Sequence, residues 1–522
     1  MNRQILRSLL TSIIFFTSLT LFATSSGSQV KTLSGVVEGK NDGAFHAFLG
    51  IPYAQPPVGD LRWKQPLPTA NWKGVRKATE FGAHCMQGNV FGDMTFRDAG
   101  GSEDCLTLNV WVPAKPSSAK LPVMVWIYGG GFVAGTTSEG RQDGTYLAQQ
   151  GVIVVSMNYR LGVFGFLVHP ELAKESGRDA AGNYGLLDQL LALHWVHDNI
   201  ASFGGDPGNV TIFGESAGSF SVCAQMASPL AKGLFQKAIG ESGAAFSRSG
   251  LSFDPMSVRA EKDAKLISEK LRVHTLAELR ALPAQKILDA FIPPQSRGFD
   301  FGPDIDGYFL PEPVPAIFAA GKQNDVPLLA GWNHDEGSFE IASQKPTAES
   351  MKATAEKDFG DKAAEFLRLY PADTEEHMLR SAEDYAGDKF IALSTWDWLE
   401  SQSKTGKQPI YRYRFDMAPP SSDPKAPNTN AYHSAEIEYV FGQLDSKAGV
   451  PWRPEDRQLS EQMRKYWTNF AKSGDPNGPG LPKWPTYTAA DGWSFMVLDT
   501  RPSAQKDDLR DRYLFLARAW TK

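Results

Sequence analysis

Val210-Thr211-Ile212-Phe213-Gly214-Glu215-Ser216-Ala217-Gly218 is the stretch on which the reading of this chain turns. Four β-branched or aromatic residues run into Gly-x-Ser-x-Gly, and small residues then lead into an apolar-rich segment. That is the pattern of a strand, a sharp turn and a helix, with a serine at the apex. A turn this tight brings strand and helix backbones together, and side chains at positions 214 and 218 would collide. Ser216 is expected there in a strained conformation, its hydroxyl clear of the sheet. The string also fits a serine capping a helix N-terminus. A nucleophile therefore requires a histidine base, an orienting carboxylate and oxyanion donors elsewhere in the chain.

The 522 residues carry 42% hydrophobic and 21% charged side chains, enough material for a large core. A formal net charge of −6 gives no electrostatic case for nucleic acid or an anionic membrane as partner. Arg3 and Arg7 precede an apolar run from Leu9 to Phe22 and then Ala23-Thr24-Ser25-Ser26-Gly27. This is the layout of a secretory signal peptide, so residues 1–26 are read as a cleaved export signal and residues 29–522 as one domain. The run is shorter than the roughly 20 residues of a spanning helix, and no other apolar run approaches it. A secreted or periplasmic protein with no stable membrane insertion is expected. An oxidising compartment would let Cys85 and Cys105 close a loop of about 20 residues, worth roughly 3 kcal/mol. Cys223 reads as a free core thiol. No Cys/His cluster has metal-ligand spacing, and no metal or organic cofactor is called for.

Short alternating stretches at 33–40 and 44–50 predict antiparallel strands at the start of the chain, and 106–112 also alternates cleanly. Leu121 to Tyr128 (LPVMVWIY) is a continuous apolar run too short for a helix, hence a buried strand. Gly129-Gly130-Gly131-Phe132 follows it. Glycines at the end of a core strand let backbone N–H groups face a ligand with no Cβ in the way. The amides of Gly130 and Gly131, joined by that of Ala217, are the candidate oxyanion hole. Val152 to Asn158 reads as a second buried strand, Ala181 to Phe203 as a helix, and Gly204-Gly205-Asp206-Pro207 delivers the chain to the Ser216 strand. Leu234 to Gly240, Val326 to Gly331 and Ile410 to Phe415 read as further strands. Alternating strands and helices predict an α/β architecture, a large, mostly parallel sheet with helices on both faces. Amphipathic helices at 253–292 and 347–403 read as insertions over the ligand-facing edge. A helix near Asp456 to Lys472 and an aromatic-rich tail close the chain.

With this nucleophile turn the acid and then the histidine follow in the chain. Of nine histidines, His46, His84, His169, His194 and His197 precede Ser216. His274 and His377 fall in charged helical stretches, and His334 reads as a peripheral residue. His433 follows a Pro/Asn/Ser-rich loop beyond the last core strands, well placed to reach across the strand ends. It is also placed to cap the helix that starts at Ile437. For the acid, Trp332-Asn333-His334-Asp335-Glu336-Gly337 follows a strand, and either Asp335 or Glu336 would serve.

Taken together these residues resemble the type-B carboxylesterases, the cholinesterase-like branch of the α/β-hydrolase superfamily. The likeness runs from about Val36 to the C-terminal region. It rests on Ser102-Glu103-Asp104-Cys105-Leu106, Trp126 to Phe132, Asn158-Tyr159-Arg160, the FGGDP segment 203–207, GESAG, Asp335-Glu336-Gly337, and His433 with Glu436-Ile437-Glu438 and Phe441-Gly442. The resemblance implies a serine esterase that hydrolyses small-molecule carboxylic esters through an acyl-enzyme, without a cofactor. It assigns Glu336 as the acid beside Ser216 and His433. It also implies a Cys85–Cys105 disulfide and ion pairs of Arg62 with Glu103 and Arg160 with Asp188. Glu215 and Ser242 match positions around the site that serve equally to brace the fold. Tyr128 stands where many related hydrolases carry histidine. The span Met86 to Asp104 contains Phe91 and Phe96 but no tryptophan, so a choline cage is not expected. Trp332, Phe132, Phe299 and Phe301 are candidate pocket-lining aromatics. The competing readings are a non-catalytic binding or adhesion module, which would lose members of the triad, and a lipase working at a lipid surface. Oligomeric state is not legible.

Overall fold

The apolar run at 121–128 forms the strand expected of it, and from Val123 to Ile127 no side chain reaches solvent. The structure, a computed structural model, describes residues 28–520 apart from 115–118, 247–251, 293–298, 343, 424, 426, 427 and 429. The proposed export signal thus lies outside the described residues. Among those described, no helix is long and apolar enough to cross a membrane.

One eleven-stranded sheet organises the chain. In chain order its strands are β1 (Lys40–Asn41), β2 (Phe45–Pro52), β3 (Thr107–Pro113), β4 (Leu121–Ile127), β5 (Ile153–Met157), β6 (Gly205–Glu215), β7 (Lys237–Glu241), β8 (Leu328–Asn333), β9 (Ile410–Phe415), β10 (Phe495–Leu498) and β11 (Ser503–Gln505). Their spatial order is β11-β10-β9-β8-β7-β6-β4-β5-β3-β2-β1. The run from β5 to β10 is parallel throughout, and the antiparallel pairings lie at the two margins. The sheet is therefore mixed, parallel at its centre, with helices on both faces. The central strands are buried on both sides, which is why they read as unbroken apolar runs rather than alternating ones.

Parallel register decides where the chemistry is. Gly214 of β6 lies beside Ile127 of β4 and Gly240 of β7, and Glu241 of β7 lies beside Gly331 of β8. The carboxyl ends of these four neighbours therefore stop at one edge of the sheet, the place where open α/β sheets bind ligands. Helix α1 (Tyr184–Asn199) leads into β6, and α2 (Ala217–Ala227) leaves it with every residue buried. Farther on, α3 (Glu375–Gly387) and α4 (Leu393–Thr405) belong to the helical insertion, and α5 (Pro454–Ser473) packs against β4 and β6.

Some boundaries differ from the sequence reading. Strand β7 starts at Lys237 rather than Leu234, and β6 starts inside the glycine-rich 204–207 segment, with an irregular register between Gly205 and Val210. The aromatic tail contains β10, β11 and a helix at Arg510–Ala519. The Cys85–Cys105 disulfide is present and Cys223 is a buried free thiol. Arg62 meets both carboxylate oxygens of Glu103 at 2.6 Å, and Arg160 meets those of Asp188 at 2.8 and 2.7 Å.

The tightest approach lies between α2 and β4: a Cβ on Gly218 would stand 2.0 Å from the Ile127 carbonyl oxygen. Gly218→Ala must push helix and strand apart, so it should cost on the order of 1–3 kcal/mol. A lowered thermal unfolding midpoint checks this; an unchanged midpoint would mean that the contact relaxes freely.

Candidate active site

Ser216 occupies the turn between β6 and α2 with φ 52° and ψ −122°, a backbone region that a non-glycine residue enters at a cost of about 1–3 kcal/mol. The surroundings impose it. The Ser216 amide donates to the Glu241 carbonyl at 2.8 Å, and the Ser216 carbonyl accepts from the Phe220 amide at 3.0 Å. Ser242, Phe132 and Ser434 also have positive φ, so strain gathers around this edge.

His433 and Glu336 meet Ser216 there. Ser216 Oγ lies 3.0 Å from His433 Nε2, and His433 Nδ1 lies 2.6 Å from Glu336 Oε2. Two donors hold the other oxygen of Glu336: Ser242 Oγ–H at 2.6 Å and the Asn333 amide at 2.9 Å. The adjacent acid turns away. Asp335 accepts from Arg380 at 2.5 Å and from the Ala431 amide at 2.8 Å, and its own amide donates to the Ala431 carbonyl at 3.0 Å. It thus ties the loop that carries His433 to the end of β8. His334 leans on Asp335, 2.8 Å away.

The glycine loop after β4 faces the serine. Gly130 and Gly131 have φ values of 98° and 63°, and the Gly130 carbonyl accepts from the amides of Val133 and Ala134 at 3.1 Å each. Among the described residues, the amides of Gly130, Gly131 and Ala217 donate to no other backbone or side-chain group. A Cβ on Gly131 would come within 2.4 Å of the half-exposed Phe299 ring, so that ring lies against the loop. Tyr128 stacks on Tyr159 at 4.5 Å behind it.

The profile of the carboxylesterase family matches residues 26–515. The chain belongs to the carboxylesterase family. It is 38% identical over 472 residues to the fumonisin B1 esterase of Sphingopyxis macrogoltabida, covering 87% of this chain and 84% of that one. It is also 38% identical over 498 residues to the para-nitrobenzyl esterase of Bacillus subtilis, covering 92% and 96%. A solved structure of a thermophilic PNB esterase superposes with a TM-score of 0.81 at 36% identity, covering 95% of this chain and 100% of that one. The fold is the α/β-hydrolase fold, and the protein is a carboxylic-ester hydrolase.

The electrostatics of this carboxylesterase are set by buried acids. Burial pushes the Glu215 carboxyl up to about 7, against the pull of His433 and Arg141. Glu215 Oε1 lies 3.3 Å from His433 Nε2, beside the Ser216 contact. For His433, burial favours the neutral ring, but the carboxylates of Glu336 and Glu215 outweigh it and raise the imidazole to about 9.

Of the aromatic residues expected at the pocket, Phe299 lies against Gly131. Phe132 packs between Phe166 and Phe253, Phe301 against Phe291, and Trp332 against Tyr513 under the Arg412 guanidinium. Sequence reasoning gave no role to Asn333, which supports Glu336 from its amide and donates to Glu436 Oε2 from its side chain at 2.6 Å. It also missed Arg141, paired with Glu139 at 2.6 Å, and Phe390, whose ring centroid is 5.0 Å from that of His433. Asn333 stood in the Trp332 to Gly337 string and was open to detection there. Nothing in the sequence singled out Phe390.

Burial alone would raise Asp335, yet His334 and Arg380 hold it down at about 2, below its ordinary 3.8. A depressed folded pKa contributes stability above the unfolded value and loses it as pH falls through the folded one. Asp335→Asn should therefore destabilise the enzyme by on the order of 2 kcal/mol near pH 7, and the gap from wild type should close between about pH 4 and pH 2. Denaturant midpoints measured across that range check it; a pH-independent gap would contradict it.

Proposed function

We propose that this carboxylesterase works by acyl transfer to Ser216, with His433 and Glu336 completing the triad. The observation that carries the reading is the unbroken pair of hydrogen-bond contacts, Glu336 to His433 at 2.6 Å and His433 to Ser216 at 3.0 Å. Ser216 Oγ attacks the ester carbonyl carbon while His433 Nε2 takes its proton. Glu336, accepting from Nδ1–H, fixes the tautomer and stabilises the imidazolium. The carbonyl oxygen, now negative, lies against the amides of Gly130, Gly131 and Ala217, and losing one such donor costs on the order of 3 kcal/mol. As the carbon–oxygen bond to the alcohol breaks, His433 returns the proton to the leaving oxygen. Water then repeats the sequence on the acyl-enzyme, releasing the acid and restoring Ser216. Ser242 holds Glu336, and Glu215 sets the field at His433.

The substrate class is a small-molecule carboxylic ester, and para-nitrobenzyl and para-nitrophenyl esters are reasonable first substrates. Residues 29–522 act as one domain; in support, a single sheet draws strands from Lys40 to Gln505. Residues 1–26 serve as a cleaved export signal to the periplasm or beyond, in keeping with the Cys85–Cys105 disulfide.

Two experiments test the chemistry. An organophosphate should label Ser216, read by mass spectrometry, and Ser216→Ala should lower kcat for p-nitrophenyl acetate by about 10⁴-fold or more. A label elsewhere, or undiminished turnover, rejects the assignment. The base must be neutral, so kcat/KM should rise with pH through the ionisation of His433, which lies near 9. Glu215→Gln removes a carboxylate that favours the imidazolium and should move that limb to lower pH. A limb that stays in place would show that Glu215 does not act on His433.

A further inference from the structure

The helical insertion reaches the site through an irregular turn. Between α3 and α4, residues Asp388–Ala392 take a π turn. The extra residue rotates the side chains on one side of the turn relative to those on the other, a device that recurs at functional sites. This turn is anchored from two directions. The residue before it, Gly387 at the end of α3, packs on the acid loop, where a Cβ on Gly337 would stand 2.4 Å from the Gly387 nitrogen, and one on Gly387 would stand 3.2 Å from Glu336 Cβ. Within the turn, the buried carboxylate of Asp388 accepts from Tyr370 Oη–H at 2.6 Å and lies 2.9 Å from Arg512 Nε.

What the turn presents is Phe390. Its ring meets the His433 imidazole edge to face, with centroids 5.0 Å apart and planes at 75°. Phe339 crosses the same ring at 5.2 Å, also at 75°, and Phe339 is half exposed. His433 itself has a fifth of its side chain open to solvent.

We propose that Phe390 is a positioning residue: the π turn sets its ring as a wall that keeps the His433 imidazole aligned with Ser216 and Glu336 at once. The proposal rests on the roles given above to those three residues. The need for a wall follows from the proton transfer. While His433 is neutral, Nε2 accepts from Ser216. Once protonated, Nε2 is a donor, and Glu215 Oε1 at 3.3 Å competes for it with the leaving oxygen. An imidazolium that turns toward Glu215 no longer protonates the alcohol. A packed aromatic ring restricts that turn without offering a rival acceptor.

The test uses Phe390→Ala, Phe390→Leu and Phe390→Tyr in the full enzyme, with p-nitrophenyl acetate as substrate. Removing the ring should lower kcat about ten- to a hundredfold, because small misplacements of a catalytic group are costly, while KM stays within about threefold. Organophosphate inactivation, which reads the same base, should slow in parallel. Phe390→Tyr, which keeps the ring, should retain most of kcat. Leu379→Ala, an exposed change on α3, should leave kcat at the wild-type level. If Phe390→Ala fails to fold, Phe390→Leu decides, provided that its thermal midpoint matches wild type. Full kcat in a folded Phe390→Leu enzyme, or a loss confined to KM, overturns the proposal. Should Ser216→Ala remain active, the triad reading itself fails; an inactive Ser216→Ala beside fully active Phe390 variants rejects Phe390 alone.

Discussion

The close approach of α2 to β4 is the constraint on which the rest of the site depends. Gly218 lies so near the Ile127 carbonyl that no side chain fits between them. That contact brings the start of α2 beside the loop leaving β4, where a Cβ on Gly129 would stand 3.1 Å from Ser216 Cβ. It also forces Ser216 into its positive-φ turn. The strain is held by main-chain bonds to Glu241 and Phe220, both fixed in buried elements. The proposed nucleophile and anion donors are therefore fixed at the sheet edge, as preorganised stabilisation requires.

A second constraint is the acidity beneath the histidine. Glu215, Glu241, Glu336 and Glu436 are all buried. Burial raises Glu215 to about 7 and Glu241 to about 8, and lifts Glu436 well above the usual carboxylate range, with Glu215, Glu241 and Glu336 adding repulsion there. Four charges so close would repel strongly in a medium of low polarity. Burial and this repulsion together hold Glu241 and Glu436 toward the protonated form. Trp467 donates to Glu241 at 2.8 Å and Asn333 to Glu436 at 2.6 Å, so these acids also join α5, β8 and the His433 loop.

Much of this was legible in the sequence because it is local or ordered along the chain. The strand–turn–helix signature and the glycines after an apolar run are contiguous patterns. Chain order excluded five of nine histidines. The choice between Asp335 and Glu336 was not legible from chemistry, since both are acids on one loop. It is made by Arg380 and the Ala431 amide, which draw Asp335 away. Trp332 packs on Tyr513, in a tail whose helix was not foreseen. Phe390 was invisible for a related reason. A π turn inside a charged helical stretch has no composition of its own, and its effect appears only when the helix is packed on the acid loop.

In the proposed mechanism Ser216 and the Ala217 amide are held at the β6–α2 junction, and loops pinned to the ends of β4 and β8 bring Gly130, Gly131 and His433 to the same reacting carbon. A crystal structure of the enzyme with a trifluoromethyl ketone tests it most directly. The expected result is a tetrahedral adduct on Ser216 Oγ, its oxygen about 2.7–3.1 Å from the amides of Gly130, Gly131 and Ala217, with the backbone of the glycine loop unmoved. An adduct oxygen directed away from those amides, or a glycine loop that must rebuild to reach it, would contradict it.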